Sequence, residues 1–562
     1  MLKTSVLAAA LLAAAPAAPQ VHEHGDGRFG TVTFDTSCTA DAQAPFTRAV
    51  ALLHSFEFGP AIDGFTAAAQ KDPSCGIAWW GIALARWGNP FAAGSKPAPV
   101  LQGGAAAVSS GRAAGAKTAR ERAYIDAVAA LYDSAATLDQ RARLLAYRDA
   151  MERLAATYRD DPEASTFYAL ALACSADPAD KTYASQLRAG AILEKLWQQQ
   201  PDHPGLAHYI IHSYDVPALA SRALTAARRY GAIAPDAPHA LHMPSHTFTR
   251  LGYWGESVDT NVLSAAAARR LGATAEELHA MDYQTYAYLQ MARDGAARTV
   301  VDSLIAAAAR LDPNATGSAA PGVAGVFALA AIPARYALER GAWADAARLD
   351  ARETPFLFAD AITHFARALG AARSGDARTA KIALDALHAI AARLASANEG
   401  YWAEQVGIQA LGASAWLALA DGREPDALAA MRNAADREDR TEKNAITPGP
   451  LAPARELLGE MLLQTNRPKD ALAAFEQTLA KEPNRFRALA GAMQAAAAAG
   501  DSAAARRHAE RLLTLCDKSD SERPDLVRAR ALVAGRSGPS ASIGVPPSRA
   551  TRHGASTRAS TR

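Results

Sequence analysis

"AIDGFTAAAQKDP", residues 61–73, and "ALAAFEQTLAKEP", residues 471–483, share one spacing. A small residue opens each (Ala61, Ala471). A phenylalanine follows four positions on (Phe65, Phe475), then a short residue (Ala68, Thr478), and a proline closes the stretch (Pro73, Pro483). Residues at such intervals share one face of a helix. The small residues let a second helix come close, the aromatic ring fills the gap, and the proline stops the helix. Two stretches 410 positions apart with this pattern predict one packing unit used repeatedly along an all-helical chain.

Working outward, further units appear. "RLGYWGESVDTN" (residues 250–261) places a glycine turn before Trp254, and "ERGAWADAARL" (339–349), "RSGDARTA" (373–380) and "AGDSAAARRHAERLL" (499–513) repeat that turn. Gly422 and Ala427 stand five apart, "ELLGEML" precedes the turn "TNRP", and "AGAILEKLWQQQP" ends a unit at Pro201. Over roughly residues 42–515 the pattern resembles the tetratricopeptide repeat, a helix–turn–helix unit of 34 residues. The resemblance implies an all-α solenoid of helical hairpins wound into a right-handed superhelix. It also implies a protein or peptide partner held in the concave groove, since arrays of this kind mostly bind proteins.

The rest of the sequence fits around that array. Lys3 followed by the apolar run Val6–Ala15 and the small residues at Ala15-Pro16-Ala17 reads as an export signal over residues 1–17. No second long charge-free apolar run suggests a membrane span in the mature chain. Residues 18–41 precede the helices, and "GTVTFD" alternates like a short strand. The solenoid is expected over 42–535, with 96–117 as a low-complexity loop. Residues 536–562, rich in Gly, Pro, Ser and Arg, read as a disordered basic tail. With 59 basic against 57 acidic residues the charge is nearly balanced, which argues against a dominant nucleic-acid or membrane-surface role. An exported chain permits a disulfide. A Cys38–Cys75 bridge would pin the N-terminal segment to the first helix pair; the alternative is that all four cysteines, Cys174 and Cys516 included, are separate core residues.

Seven of the fourteen histidines fall between positions 203 and 279. His208 and His212, four apart, recur one repeat later as His242 and His246, and His239 lies within about 60° of that pair on a helical wheel. If Gly252 ends the first helix of its unit, that unit starts near Pro238, and the preceding one starts near Pro204. In the family these positions face the groove, so the resemblance implies imidazoles stacked on neighbouring helices. Taking Gly295 as the next turn places Asp282 in the groove and His279 at its edge. Asp215 shares a face with His208, while His54, Trp80 and Trp87 take groove positions in earlier units.

Imidazole is the commonest protein ligand for zinc, copper, nickel and iron. His208, His212, His239, His242, His246 and His279, with Asp282, therefore make a candidate site for a divalent transition metal such as zinc or copper. The N-terminal His22 and His24 could add a mobile element. Two other readings stay open: metal-free binding of a peptide, or rings buried and satisfied by each other and by Tyr209, Tyr283 or Asp215. There is no HExxH, no phosphate-binding glycine loop and no G-x-S-x-G. A three-histidine metal with an open position could still activate water.

Overall fold

The computed structural model describes residues 27–92 and 95–535. The expected signal over 1–17, His22 and His24, and the basic tail over 536–562 lie outside the described residues. From Ala40 onward the chain is helix after helix, each packed on its neighbour in sequence. Ala40–His54 lies on Phe58–Lys71, that helix on Gly76–Trp87, and the series runs on to Ser502–Leu515 against Pro524–Val533. Short turns between long helices force each to reverse on the last. The result is an all-α, tetratricopeptide-like solenoid of helical hairpins, with no strand among the described residues.

The paired motifs that opened the sequence explain the packing. A Cβ on Gly81 would sit 2.5 Å from the Phe65 ring. Far along the chain Phe475 presses on both Gly459 and Gly491, where added Cβ atoms would come within 2.8 and 2.3 Å. Each ring fills a slot that only a missing side chain leaves open, as the small–aromatic spacing requires. The buried side chains form two large cores, one from Phe29 to Phe248 and one from Ala292 to Ala529.

Four expectations about the elements change. Residues 96–117 are not a loop: Ala98–Ala114 is helical and buries Gly104, Ala107, Val108 and Gly111 against its neighbours. Its small residues make a close-packed helix rather than a spacer, because alanine favours helix and glycine permits contact; Gly104 lies against the Tyr132 ring. The turn expected at Gly295 falls at Ala292, which takes a left-handed φ of 53°, and Gly295 lies inside the next helix, Asp294–Ala308. Residues 27–39 keep the alternation, with Val32 and Phe34 buried, but find no ladder; the Thr31 N–H donates to the Asp202 carbonyl at 3.0 Å. Cys38 and Cys75 are bonded, with Cα atoms 4.9 Å apart.

The fourth change concerns the groove. Segments far apart in sequence meet across the array. Trp254 donates to the Asn484 carbonyl at 2.8 Å, and Gly252, at φ 69°, approaches Pro483 so closely that a Cβ would meet its carbonyl at 2.3 Å. The buried Arg485 joins Glu339, Glu456 and the Tyr286 hydroxyl at 2.6, 2.7 and 2.9 Å, tying the C-terminal hairpins to the middle of the array. The connector Asn444–Pro453 threads inward, where Arg335 donates to the carbonyls of Gly449 and Pro450. The Gly59 N–H donates to the Gly317 carbonyl at 2.7 Å, bringing a second loop over the first helices. Gly322–Glu339 is the one described helix long and apolar enough to cross a membrane, but it is two-thirds buried inside the protein and carries the ion-paired Arg335.

Candidate metal centre

Four helical segments bring six histidines together. His208 and His212 lie on the helix Pro204–Ser213, which a histidine caps: His203 Nδ1 accepts from the Leu206 N–H. His239 and His242 lie on Pro238–His242, and His246 on Pro244–Leu251. His279 comes from Thr274–Gln290. Pro244 has no N–H to give to the preceding turn, so the helical ladder breaks at Met243. His239, His242 and His246 nonetheless divide between two triplets. His239 joins His208 and His212, whereas His242 and His246 join His279, and within each triplet the ligand atoms lie within 4.8 Å of one another. The triplets abut, with ring centroids of His239 and His242 at 6.1 Å and of His212 and His246 at 6.2 Å.

The hydrogen bonds fix which nitrogens are bare. His208 Nδ1 lies 2.6 Å from the His54 carbonyl, His242 Nδ1 2.7 Å from Asn261 Oδ1, and His246 Nδ1 2.9 Å from Asp215 Oδ2. Asn261 is oriented by its own Nδ2 donating to the Ser257 carbonyl at 2.7 Å. Each of these partners can only accept, so each Nδ1 carries the proton and each Nε2 offers a lone pair. His242 Nε2 and His246 Nε2 face each other at 3.2 Å. Two lone pairs at that distance repel unless a cation sits beside both or one ring is protonated. Protonation is opposed: burial, then His279 and His246, holds His242 well below the ordinary histidine pKa, and burial followed by Lys443 lowers His246. Tyr283 has one hydroxyl proton, shared between His246 Nε2 and the Thr447 carbonyl, both at 3.3 Å.

The third member of each triplet has an orphan. His212 Nε2 and His279 Nδ1 are buried without a hydrogen-bond partner. Burial drives His208 and His279 down to about 3 and His212 and His239 well below their ordinary value, so all six rings are neutral near pH 7, as metal ligands must be. In the first triplet His208 Nε2 and His239 Nε2 are 3.1 Å apart.

A third histidine cluster behaves differently. His54 Nε2 and His203 Nε2 lie 2.9 and 2.8 Å from the two oxygens of Glu163. Tyr209 reaches His54 Nδ1 at 3.0 Å, and His203 Nδ1 already accepts from Leu206. Every nitrogen here is satisfied, with the protons aimed at the carboxylate. This cluster is a hydrogen-bonded brace that aims the His54 carbonyl at His208. His54 is fully buried and faces no groove.

Other expected site residues also move. Asp282 is not a ligand: fully buried, it pairs with Arg335 at 2.8 Å. Asp215 supports rather than faces a groove, accepting from Arg250 at 2.9 Å and from Lys443 at 3.3 Å. Burial alone would raise its carboxyl, but Lys443 and Arg250 hold it well below the usual range. Trp80 and Trp87 are core: Trp80 packs among Phe34, Tyr124 and Phe167, and Trp87 against Tyr132. The histidines themselves are mostly buried; His208, His239, His242 and His246 are 0, 5, 2 and 2% exposed.

Sequence reasoning missed Phe56. Its backbone is left-handed, φ 59°, a conformation that costs a bulky residue roughly 1–3 kcal/mol. The ring lies 4.4, 5.7 and 5.5 Å from those of His208, His212 and His239, walling the first triplet. Phe91 stacks on His212 at 4.0 Å, nearly parallel. Neither residue carries a sequence signal. A cleft of about 660 Å³, counting its open mouth, reaches His212, His239, His246 and His279 from solvent.

No family model and no curated protein matches the sequence. Among solved structures, the human IFIT1 dimer with m7Gppp-AAAA aligns over 86% of this chain and 96% of its own, at 10% identity and a TM-score of 0.38. The P58(IPK) TPR domain aligns over 63% and 94%, at 16% identity and a TM-score of 0.20. Superpositions this loose carry no argument, and the fold rests on the helix pairs themselves.

Proposed function

We propose that this protein is a metal-dependent helical-repeat protein whose two histidine triplets bind a pair of transition-metal ions. The observation that carries the reading is the contact of His242 Nε2 with His246 Nε2 at 3.2 Å, each bared by an acceptor fixed behind the opposite nitrogen. A backing carbonyl or carboxylate on the far ring nitrogen is how metal-bound histidines are oriented and made more basic. The orphaned His212 Nε2 and His279 Nδ1 support a third ligand for each ion. Three protein ligands leave a coordination position free, which suits chemistry rather than a closed structural site. All-imidazole donors suit zinc and copper, and copper binds the tighter of the two.

The burial of His208, His239, His242 and His246 counts against a peptide lying along the histidines. The Cys38–Cys75 bond supports export, where disulfides persist.

Metal content of tag-free protein, after incubation with zinc or copper and dialysis, tests the reading. Two ions per chain are expected. A His242→Ala/His246→Ala variant should keep one, and a His208→Ala/His239→Ala variant the other. Protein that retains no metal under both conditions refutes it.

A further inference from the structure

The cleft over the histidines has a composition of its own. Among the described residues, no Lys, Arg, Asp or Glu lines it. Its polar side-chain groups, apart from the four imidazoles, are those of Asn89 and Asn444 and the Trp402 indole N–H; the remaining wall is aliphatic or aromatic, including Val323 and Ile446. Phe358 and Trp402 stand in that wall as a nearly parallel stack, centroids 4.7 Å apart and planes inclined by 17°, and both are only half-buried. A flat, partly exposed aromatic surface loses little freedom when another flat molecule covers it, and ring pairs prefer such offset stacking. Sites for small molecules combine apolar walls with a few fixed polar groups. A peptide backbone would bring many donors and acceptors into this wall and leave most of them unpaired, at a cost for each.

We infer that the cleft binds a small, uncharged, planar aromatic molecule bearing one donor oxygen, its ring against the Phe358–Trp402 wall and its oxygen toward the histidine floor. The inference rests on the metal reading for what meets that oxygen: neutral imidazoles leave the ions' charge uncompensated, and Asp215, the carboxylate behind His246, is already shared by Lys443 and Arg250. An oxygen that becomes anionic on the metal supplies the missing charge. The wall, by contrast, is a matter of shape and polarity that holds whether or not the ions are present.

Calorimetric titration of the full chain with three probes of similar size separates these contributions. Phenol is planar with one oxygen, cyclohexanol has the oxygen without the plane, and 4-hydroxybenzenesulfonate adds a charge. Metal content is measured on the same samples. Phenol should bind at least about tenfold more tightly than either of the others, and Trp402→Ala should weaken it about tenfold, the scale of one lost ring contact, with metal content unchanged. Should that variant fail to fold, Phe358→Leu keeps the bulk and removes the second ring, with the same loss expected. Metal-loaded protein that ignores phenol, or takes cyclohexanol or the sulfonate equally well, overturns the inference and leaves the metal reading standing. Protein that takes up no metal overturns the metal reading alone; the metal-free titration then decides the cleft on the same margins.

Discussion

Replacing Asn261 by leucine separates a metal ligand's support from ordinary packing, because it moves the metal-bound and metal-free proteins by different amounts. Asn261 is fully buried, and its one task toward the site is to accept the His242 Nδ1 proton at 2.7 Å. Leucine fills similar volume and accepts nothing. In the metal-free protein about 1 kcal/mol of hydrogen bonding is lost. His242 can then move its proton to Nε2 and donate to His246 Nε2 across the existing 3.2 Å gap, recovering a bond of similar worth. The metal-free unfolding midpoint should therefore stay within about 2 °C of the parent. With metal, that same proton shift removes a ligand. Loss of a supporting partner of this kind costs about 10–100-fold in affinity, or roughly 1.4–2.8 kcal/mol. Competition against a chromophoric chelator should show one of two ions weakened by that factor and the other unchanged, while Asn261→Asp, which still accepts, should retain both. The reasoning fails if Asn261→Leu binds both ions like the parent, or if it lowers the metal-free midpoint as much as the metal-bound one.

Glu163→Gln places an amide N–H against one of two imidazole N–H groups, so the brace loses a buried charged acceptor; a loss of about 3 kcal/mol in chemical denaturation is expected, with weakened metal uptake at the His208 triplet. Reducing the Cys38–Cys75 bond, which spans a separation of 37 residues, should cost about 3–4 kcal/mol by loop entropy and lower the thermal midpoint under dithiothreitol. Gly491→Ala drives a methyl to 2.3 Å from the Phe475 ring and should destabilise by about 1–3 kcal/mol, whereas the same change at exposed, open Gly400 should do little; equal effects would refute the slot reading of the repeat.

The fold was legible because its signal is local and repeated. Phe65 and Phe475 meet glycines one helix away, so the spacing of a few residues already contains the contact. The His208–His212 and His242–His246 pairs were legible for the same reason: one repeat apart, they had to fall on adjacent helices. What stayed hidden depends on chain returning from far away. The pairing of Asp282 with Arg335 lies 53 residues distant, and Lys443 reaches Asp215 across 228. No periodicity encodes such meetings. Trp80 and Trp87 were misplaced by the opposite error, since a repeat position that faces a groove in an open array faces core once neighbouring helices close over it.

Periodicity also hides the feature on which the site turns. A regular array would put His239, His242 and His246 on one face, and a single face can offer one ion at most a crowded row. The side chains divide instead: His239 meets His208 and His212, while His242 and His246, on either side of the break at Pro244, meet His279 on the later helix. Each triplet then draws on separate elements held by different neighbours: Phe56 and the His54 carbonyl behind the first, Asn261 and Asp215 behind the second. A ring fixed from behind by groups on another helix cannot turn aside to relieve the crowding in front of it. The two buried lone pairs at 3.2 Å therefore remain a standing electrostatic cost in the metal-free protein, and binding a cation converts that cost into affinity.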